Sequence, residues 1–172
     1  AAFSPDEELY VASDDTNLLY KIDTEIPSVV ECMAIPKETG GLLDIQGADL
    51  VFDAEGTLYV WVNSTDPGLY QIDNLDNIVA VYKGTPAAHH YFTGLAIRAA
   101  GTGNLVGSTH LGEHPGFEED HSPIWEVNPA DASVGTAYET YVGEARYDVG
   151  YGDMTVGMLC LYLNGLVDDS IR

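Results

Sequence analysis

Two phrases of this sequence recur about 50 residues apart and in the same order, and this repetition constrains the fold more than any other feature. The first phrase begins with a phenylalanine, passes through an acidic turn and ends in Leu-Tyr-Val. It occupies residues 3–11 and again residues 52–60, and a looser copy covers residues 97–106. Each copy ends one apolar segment, turns on acidic or glycine residues and begins another, which is typical of a β-hairpin.

The second phrase consists of an aliphatic residue, an aromatic residue, any residue, an aliphatic residue, and Asp or Asn. It occurs at residues 19–23, 69–73 and 124–128. A further apolar segment follows at residues 29–32 and 79–82, and we expect its counterpart in the third copy at residues 136–141. Three ordered copies of one pattern predict a structural unit of four short segments that is repeated along the chain.

The second unit gives the clearest prediction of secondary structure. β-Branched and aromatic residues fill its segments, and Gly, Pro, Asn and Asp separate them, as in antiparallel sheets with tight turns. The predicted strands are residues 48–53, 57–63, 69–73 and 78–83. No stretch keeps a 3.6-residue period, so we expect helix in less than ~10 % of the chain, well under the usual third.

Repeated four-stranded units of this length are typical of β-propeller blades. The phrase at residues 52–60, Phe-Asp-Ala-Glu-Gly-Thr-Leu-Tyr-Val, resembles the hairpin between the first and second strands of NHL, YWTD and SMP-30-like propellers. The resemblance covers residues 1 to about 145 and implies an all-β fold of four-stranded antiparallel blades in an incomplete ring. It implies one partial propeller domain over residues 1–172, with repeat units at about 1–45, 46–90 and 91–147 and a remainder at 148–172.

Three units are too few for a closed ring, which typically needs four to eight blades. Residues 152–156 resemble residues 47–51 and are expected to form another opening strand, and residues 159–163 a second strand. Three arrangements remain open: a segment of a longer propeller, a ring completed by a second copy, or a first unit completed by the C-terminal strand. Because exposed strand edges recruit partners, we expect the chain to associate with other protein chains or with further propeller blades.

The charge of the chain is strongly negative, with 28 acidic and 6 basic residues among 172 and a formal net charge of −22. This charge disfavours binding to nucleic acid or to an anionic membrane surface, since both depend on Lys and Arg. The chain also lacks the run of about 18 apolar residues that a membrane-spanning helix needs, so no membrane insertion is expected. Self-repulsion at this charge is tolerated in high salt, in a seawater-like extracellular medium or with bound Ca²⁺.

Several features bear on the compartment. Lysine is scarce, which resembles halophilic or marine secreted proteins, although the acids could equally occupy solvated turns. Asn63-Ser64-Thr65 is a glycosylation sequon and gives weak support for secretion. Cys32 and Cys160 both lie in apolar runs, which favours buried free thiols, and a disulfide between them would need Cα atoms within ~7 Å. We expect an extracellular or periplasmic protein.

An insertion in the third unit is the first candidate site. The distance along the chain from the start of the second strand to the start of the third is 19 residues here, from Leu105 to Ile124. In the first two units it is 10 and 11 residues. The added segment carries four acids and three histidines, His110, His114 and His121. Imidazole with carboxylate suits Zn²⁺ or another transition metal, and carboxylates alone suit Ca²⁺. The alternative is a solvated loop with titrating histidines.

Asp49 and Asp153 form the second candidate site. Both stand at the start of an opening strand, and in a propeller these strands line the central channel. The two carboxylates would then bind a hard divalent cation such as Ca²⁺. The alternative is a structural role, in which each carboxylate accepts hydrogen bonds from neighbouring backbone N–H groups.

Familiar catalytic motifs are absent from the sequence: it has no Gly-x-Ser-x-Gly, P-loop, Gly-x-Gly-x-x-Gly or His-Glu-x-x-His pattern. We therefore expect a non-enzymatic extracellular binding, adhesion or structural module built from acidic blades. The alternative, implied by the resemblance to SMP-30-like propellers, is a hydrolase or lactonase that depends on a divalent metal ion. That family holds its ion with a Glu, Asn and Asp set, and only Asp49 and Asp153 are matched to it here.

Overall fold

The computed structural model describes residues 1–86, 92–98, 105–109, 124–138, 141–142 and 145–146. In these ranges the protein is all-β and contains no helix, so none is present there that is long and apolar enough to cross a membrane. Twelve of the described strands form three four-stranded antiparallel sheets, and each sheet uses four consecutive strands in chain order. The sheets are open and do not close into a barrel, as expected for incomplete propeller blades.

The three sheets are built in the same way along the chain. The first contains β1 (Ala2–Phe3), β2 (Leu9–Ser13), β3 (Leu18–Asp23) and β4 (Ser28–Met33). The second contains β5 (Asp49–Phe52), β6 (Leu58–Val62), β7 (Gly68–Ile72) and β8 (Val81–Gly84). The third contains β9 (Phe92–Ile97), β10 (Leu105–Thr109), β11 (Ile124–Val127) and β12 (Val134–Tyr138). A separate short pair, β13 (Tyr141–Val142) and β14 (Ala145–Arg146), follows.

The repeated phrase forms the same hairpin turn in the first two sheets. Between β5 and β6 the Asp53 carboxylate accepts a hydrogen bond from the Thr57 backbone N–H at 2.8 Å, and Gly56 adopts a left-handed φ of 89°. Between β1 and β2 the Ser4 hydroxyl accepts the corresponding backbone hydrogen bond, and Glu7 takes the left-handed position at a φ of 64°. A short polar side chain that bonds to its own turn therefore directs both hairpins.

The sheets pack face against face around two hydrophobic cores. The opening strand β5 contacts both β1 and β9, so the three opening strands lie side by side. Because successive residues of a strand point to opposite faces, sheet two contributes to both cores. The core between sheets one and two includes Tyr10, Leu19, Phe52, Val60 and Tyr70. The core between sheets two and three includes Val51, Trp61, Leu69, Phe92 and Leu95.

The fourth strands of sheets two and three show the largest differences between the predicted and the observed bounds. The segment predicted at 78–83 is observed as β8, which begins only at Val81. The backbone of Ala80 instead donates to the Pro36 carbonyl at 2.8 Å and accepts from the Glu38 N–H at 3.0 Å. The connection between sheets one and two thus occupies the place where the strand was expected to start. The segment predicted at 136–141 is observed as β12, Val134–Tyr138.

The prediction that Cys32 is buried is wrong, because its side chain is exposed. Cys32 lies on β4, the edge strand of sheet one, on which every residue but the last is exposed. The apolar run that suggested burial is therefore part of a strand whose outer edge faces solvent. The second cysteine, Cys160, lies outside the described residues.

Candidate functional site

Several connecting loops lie together at one end of the sheets, which we name the loop end. Residues 14–17 and 63–67 join the second and third strands of the first two sheets there, and residues 34–48 link sheet one to sheet two. Hydrogen bonds hold these loops together, since the Asn17 side chain accepts from the Ile45 backbone N–H at 2.6 Å. Loops fixed on a rigid scaffold are where binding sites are commonly found, so the loop end is the region of interest.

Asn63 is the best-connected polar side chain of the loop end. Its amide nitrogen donates hydrogen bonds to the backbone carbonyls of Gly47 and Phe92, each at 2.8 Å. Its amide oxygen accepts the indole N–H of the buried Trp61 at 3.0 Å. Asn63 therefore joins the connection before β5, strand β6 and the first residue of β9. The nitrogen that a glycan would modify is engaged in two hydrogen bonds, so Asn63 serves here as a structural residue.

Asp49 is the predicted metal ligand that the structure describes. It is the first residue of β5, its side chain is buried, and its carboxylate accepts a hydrogen bond from the Leu95 backbone N–H on β9. This bond connects the opening strands of sheets two and three. The Asp49 carboxylate therefore accepts at least one hydrogen bond from a backbone N–H group. This is the structural role that was the alternative to the binding of a divalent cation.

The remaining predicted metal ligands lie outside the described residues. They are Asp153, His110, His114 and His121. The convergence of Asp49 with Asp153 and a metal site in the insertion therefore stay predictions. Within the described ranges, no group of three or more His, Cys, Asp or Glu side chains is arranged to hold a metal ion.

A cleft of about 600 Å³ opens beside the outer strands of sheet two, and we name it the outer cleft. Its walls are the segment that follows sheet one, the loop between β6 and β7, and the side of β7 and β8 that carries Tyr70 and Tyr82. The lining residues are Lys37, Glu38, Thr39, Thr65, Asp66, Pro67, Tyr70, Ala80, Tyr82 and Thr85. Its size lies within the range of roughly 300–1,000 Å³ that is usual for small-molecule sites.

Two tyrosines form the aromatic wall of the outer cleft. Tyr70 and Tyr82 are cross-strand partners on β7 and β8, with ring centroids 5.2 Å apart and planes inclined by 53°. Tyr70 is buried and donates its hydroxyl to the Asp66 carbonyl at 3.0 Å, and burial raises its pKa to about 12. Tyr82 is 50 % exposed, so its ring is available to a ligand.

The lining of the outer cleft also carries an ion pair. The Lys37 ammonium group contacts the Asp66 carboxylate and so fastens the segment after sheet one to the loop between β6 and β7. Backbone bonds at Ala80 fasten the same segment to sheet two. The cleft is therefore bounded by elements that are fixed to one another, although 43 residues separate Lys37 from Ala80 in the chain.

A second groove, of about 420 Å³, lies at the opposite end, between the turns of sheets one and two. Its lining holds one cationic group, Lys21, and the carboxylates of Asp6, Glu8, Glu31, Glu55, Asp73 and Asp76. The hydrogen bond from Lys21 holds the pKa of Glu8 below its ordinary value. Burial, together with the adjacent Glu8, raises the pKa of Tyr10. The groove concentrates negative charge, and none of its acids belongs to a metal-binding group among the described residues.

The sequence did not predict the outer cleft. Of the tyrosines at repeated positions, Tyr10 and Tyr70 pack in the core between sheets one and two. Tyr82 stands on a fourth strand, where sheet one carries Cys32 at the equivalent position. The sequence therefore contains one indication of the outer cleft. Tyr82 in the second unit stands where the first unit has the smaller Cys32.

No protein-family model matches this chain, and no curated protein matches it in sequence. In three-dimensional structure it is similar to hydrazine synthase of Kuenenia stuttgartiensis, with a TM-score of 0.51. The similarity covers 80 % of this chain at 15 % sequence identity. The chain spans 35 % of the length of that protein chain. At this identity the similarity bears on the fold alone.

Proposed function

We propose that this chain is a non-enzymatic binding or structural module made of three propeller blades of the NHL, YWTD and SMP-30-like kind, and that it works within a larger assembly of blades. The observation that carries the proposal is the difference between two equivalent phenylalanines. Phe52 on sheet two is 7 % exposed, whereas Phe3, at the same position of the repeat on sheet one, is 60 % exposed.

The two phenylalanines occupy the same face of their sheets. Phe52 packs against Tyr10 of sheet one, with ring centroids 5.3 Å apart. Its cross-strand partners Leu58 and, on the next strand, Ile72 are fully buried by the same neighbour. In sheet two, this face is therefore buried because the preceding sheet covers it.

On sheet one the equivalent surface is open, and we name it the open face. It comprises Phe3, Leu9, Val11, Tyr20, Ile22, Val29 and Cys32, which direct strand pairing places on one side of the sheet. None of them is buried, and Val29 is 56 % exposed. None is charged, in a chain whose net charge is −22. A contiguous apolar surface on such an acidic protein is a mark of an interaction site.

The occupant we propose is a further blade that presents the kind of surface sheet one presents to sheet two. That surface places the ring of Tyr10 over Phe52, with the aliphatic Leu19 beside it in the same core. Tyr10 and Leu19 are already covered by sheet two within each copy, so when the 172-residue chain is alone the available partner of the open face is another blade surface of a second copy. We therefore expect self-association through the open face.

Sedimentation velocity over a range of protein concentrations tests this proposal. The chain should sediment faster than an 18.5 kDa monomer as concentration rises, and Phe3→Glu should shift it toward the monomer. Leu42→Glu is the matched control, because Leu42 is 58 % exposed but lies off the open face. A monomer at all concentrations, or equal effects of the two variants, would contradict the proposal.

The acidic composition supports two further parts of the proposal, an extracellular or periplasmic location and stabilisation by Ca²⁺ or another divalent cation. The alternative function, an SMP-30-like hydrolase or lactonase, is favoured by the position of the buried Asp49 on the opening strand of sheet two. Elemental analysis after exhaustive dialysis separates the two functions. A stoichiometric divalent ion that the Asp49→Asn variant fails to retain would support the hydrolase, whereas cations that dialysis removes, or that Asp49→Asn retains, would support a binding module stabilised through its other acidic residues.

A further inference from the structure

We propose that the outer cleft binds a neutral pyranose ring of an oligosaccharide, with Tyr82 as the stacking platform. The inference rests on the binding role proposed above and names a ligand class for a site that lies apart from the open face. The cleft is formed by sheet two and the segment that follows sheet one, whereas the open face is on the far side of sheet one. The two surfaces can therefore be tested separately.

The aromatic wall of the cleft suits a sugar because the Tyr82 ring is held in one orientation and is half exposed to solvent. The Thr85 hydroxyl donates to the Pro67 carbonyl, so the Tyr82 hydroxyl, 2.6 Å away, donates to Thr85. Tyr70 supports Tyr82 at the cross-strand position. An aromatic ring whose orientation is fixed before binding offers its face without a large loss of side-chain entropy.

Gly68 makes this arrangement possible. A Cβ atom at this position would contact Thr85 Oγ1 and the Gly84 carbonyl and would lie 2.9 Å from the Tyr82 ring, and the φ of Gly68 is 139°. A side chain at position 68 would therefore displace both Thr85 and Tyr82. The glycine allows the loop before β7 to approach the end of β8 closely enough for the two hydroxyl groups to meet.

The polar side of the cleft suits the hydroxyl groups of a sugar. Asp66 is exposed while it pairs with Lys37, so this pair presents charged acceptors and donors to the cleft. Thr39 and Thr65 add exposed hydroxyl groups. A pyranose has an apolar C–H face and a rim of hydroxyl groups, which match a single ring and a polar surround.

Charge and shape disfavour the other ligand classes. Lys37 and Asp66 neutralise each other, which leaves the negative charge of Glu38 in the lining, so an anionic ligand would meet repulsion from the cleft and from the whole chain. A proline-rich peptide is usually bound across a groove lined by several aromatic side chains. Tyr82 is the one exposed aromatic ring among the lining residues of this cleft.

Isothermal titration calorimetry on the 172-residue chain tests the inference with cellohexaose, maltohexaose and mannohexaose, and with a decaproline peptide as the competing class. We expect at least one hexasaccharide to bind with a Kd of about 0.1–1 mM. Tyr82→Ala should weaken that binding at least about tenfold, and Tyr82→Phe, which keeps the ring, by less than about threefold. Asp66→Asn tests the polar side of the cleft and should weaken binding about threefold.

Phe3→Ala is the matched control, since Phe3 is another exposed aromatic residue that lies outside the cleft. It should leave saccharide binding unchanged even if it alters self-association, so the failure of one proposal is distinguishable from the failure of the other. Thermal melts confirm that each variant is folded. Three results would overturn the inference: no hexasaccharide bound at about 5 mM, equal binding by wild type and Tyr82→Ala, or binding of decaproline alone.

Discussion

Replacing Asn63 by alanine should destabilise the protein by about 3 kcal/mol, although Asn63 is only half-buried. The largest part comes from Trp61, which is 1 % exposed and whose indole N–H would lose its acceptor. A buried donor left without a partner costs about 1–3 kcal/mol. The lost bond to the carbonyl of the buried Phe92 adds about 1 kcal/mol. The carbonyl of Gly47 is on an exposed residue, where water can replace Asn63.

Urea unfolding with linear extrapolation measures this loss, and Asn77→Ala provides the control. Asn77 is an exposed asparagine in the turn between β7 and β8, so its replacement should change the free energy of unfolding by less than about 0.5 kcal/mol. In a Trp61→Phe background the alanine at position 63 should be less harmful by about 2 kcal/mol, because the N–H that needs an acceptor is gone. The reasoning is refuted if Asn63→Ala resembles Asn77→Ala, or if the double-mutant cycle shows no coupling.

Three further predictions follow from packing, burial and charge. Gly107→Ala should lower the free energy of unfolding by about 1–3 kcal/mol, because its Cβ would lie 2.7–2.8 Å from the Phe92 ring. Gly135→Ala is the control in the same urea assay and should change little, because no atom lies nearer than 3.8 Å to its Cβ. Burial raises the Tyr70 pKa from 10.0 to about 12, so the neutral hydroxyl stabilises the folded state at pH values below 10. This contribution should be lost as the pH rises from 10 through about 12, and Tyr70→Phe should flatten the alkaline melting curve in that window. At a net charge of −22, raising NaCl from ~0.05 to ~1 M or adding Ca²⁺ should raise Tm by several degrees, and coincident melts in all conditions would contradict this.

The sequence predicted the strands well because the turns that separate them are encoded locally. Asp53 and Ser4 each bond to the backbone of their own turn, and Gly56 and Glu7 each supply the left-handed residue. These interactions span four residues, so a phrase in the sequence is enough to predict the hairpin. The order of strands in each sheet then follows from the succession of hairpins.

The outer cleft and the late start of β8 could not be predicted because both depend on contacts between distant segments. Ala80 bonds to the connection at residues 36–38, and Lys37 reaches Asp66 from the same connection. This connection has no periodic pattern of apolar residues, so nothing in its sequence indicates that it will dock on sheet two. The role of Asn63 could not be predicted either. In the sequence it begins a glycosylation sequon, whereas in the structure its side chain donates to the backbone carbonyls of Gly47 and Phe92 and so joins sheets two and three.

Burial is the property that the repeat does not predict, and the reason is physical. Leu-Tyr-Val occurs in both β2 and β6, with nearly the same pairing to the following strand. In β6 the leucine and the valine are fully buried by sheet one, while in β2 their counterparts Leu9 and Val11 are only half-buried. The burial of a blade face depends on whether a neighbour is present, because each unit in such an array contacts only its neighbours. The apolar residues of the open face therefore have the pattern of an interface between blades, and it is on this pattern that we base the proposal of a further blade as their partner.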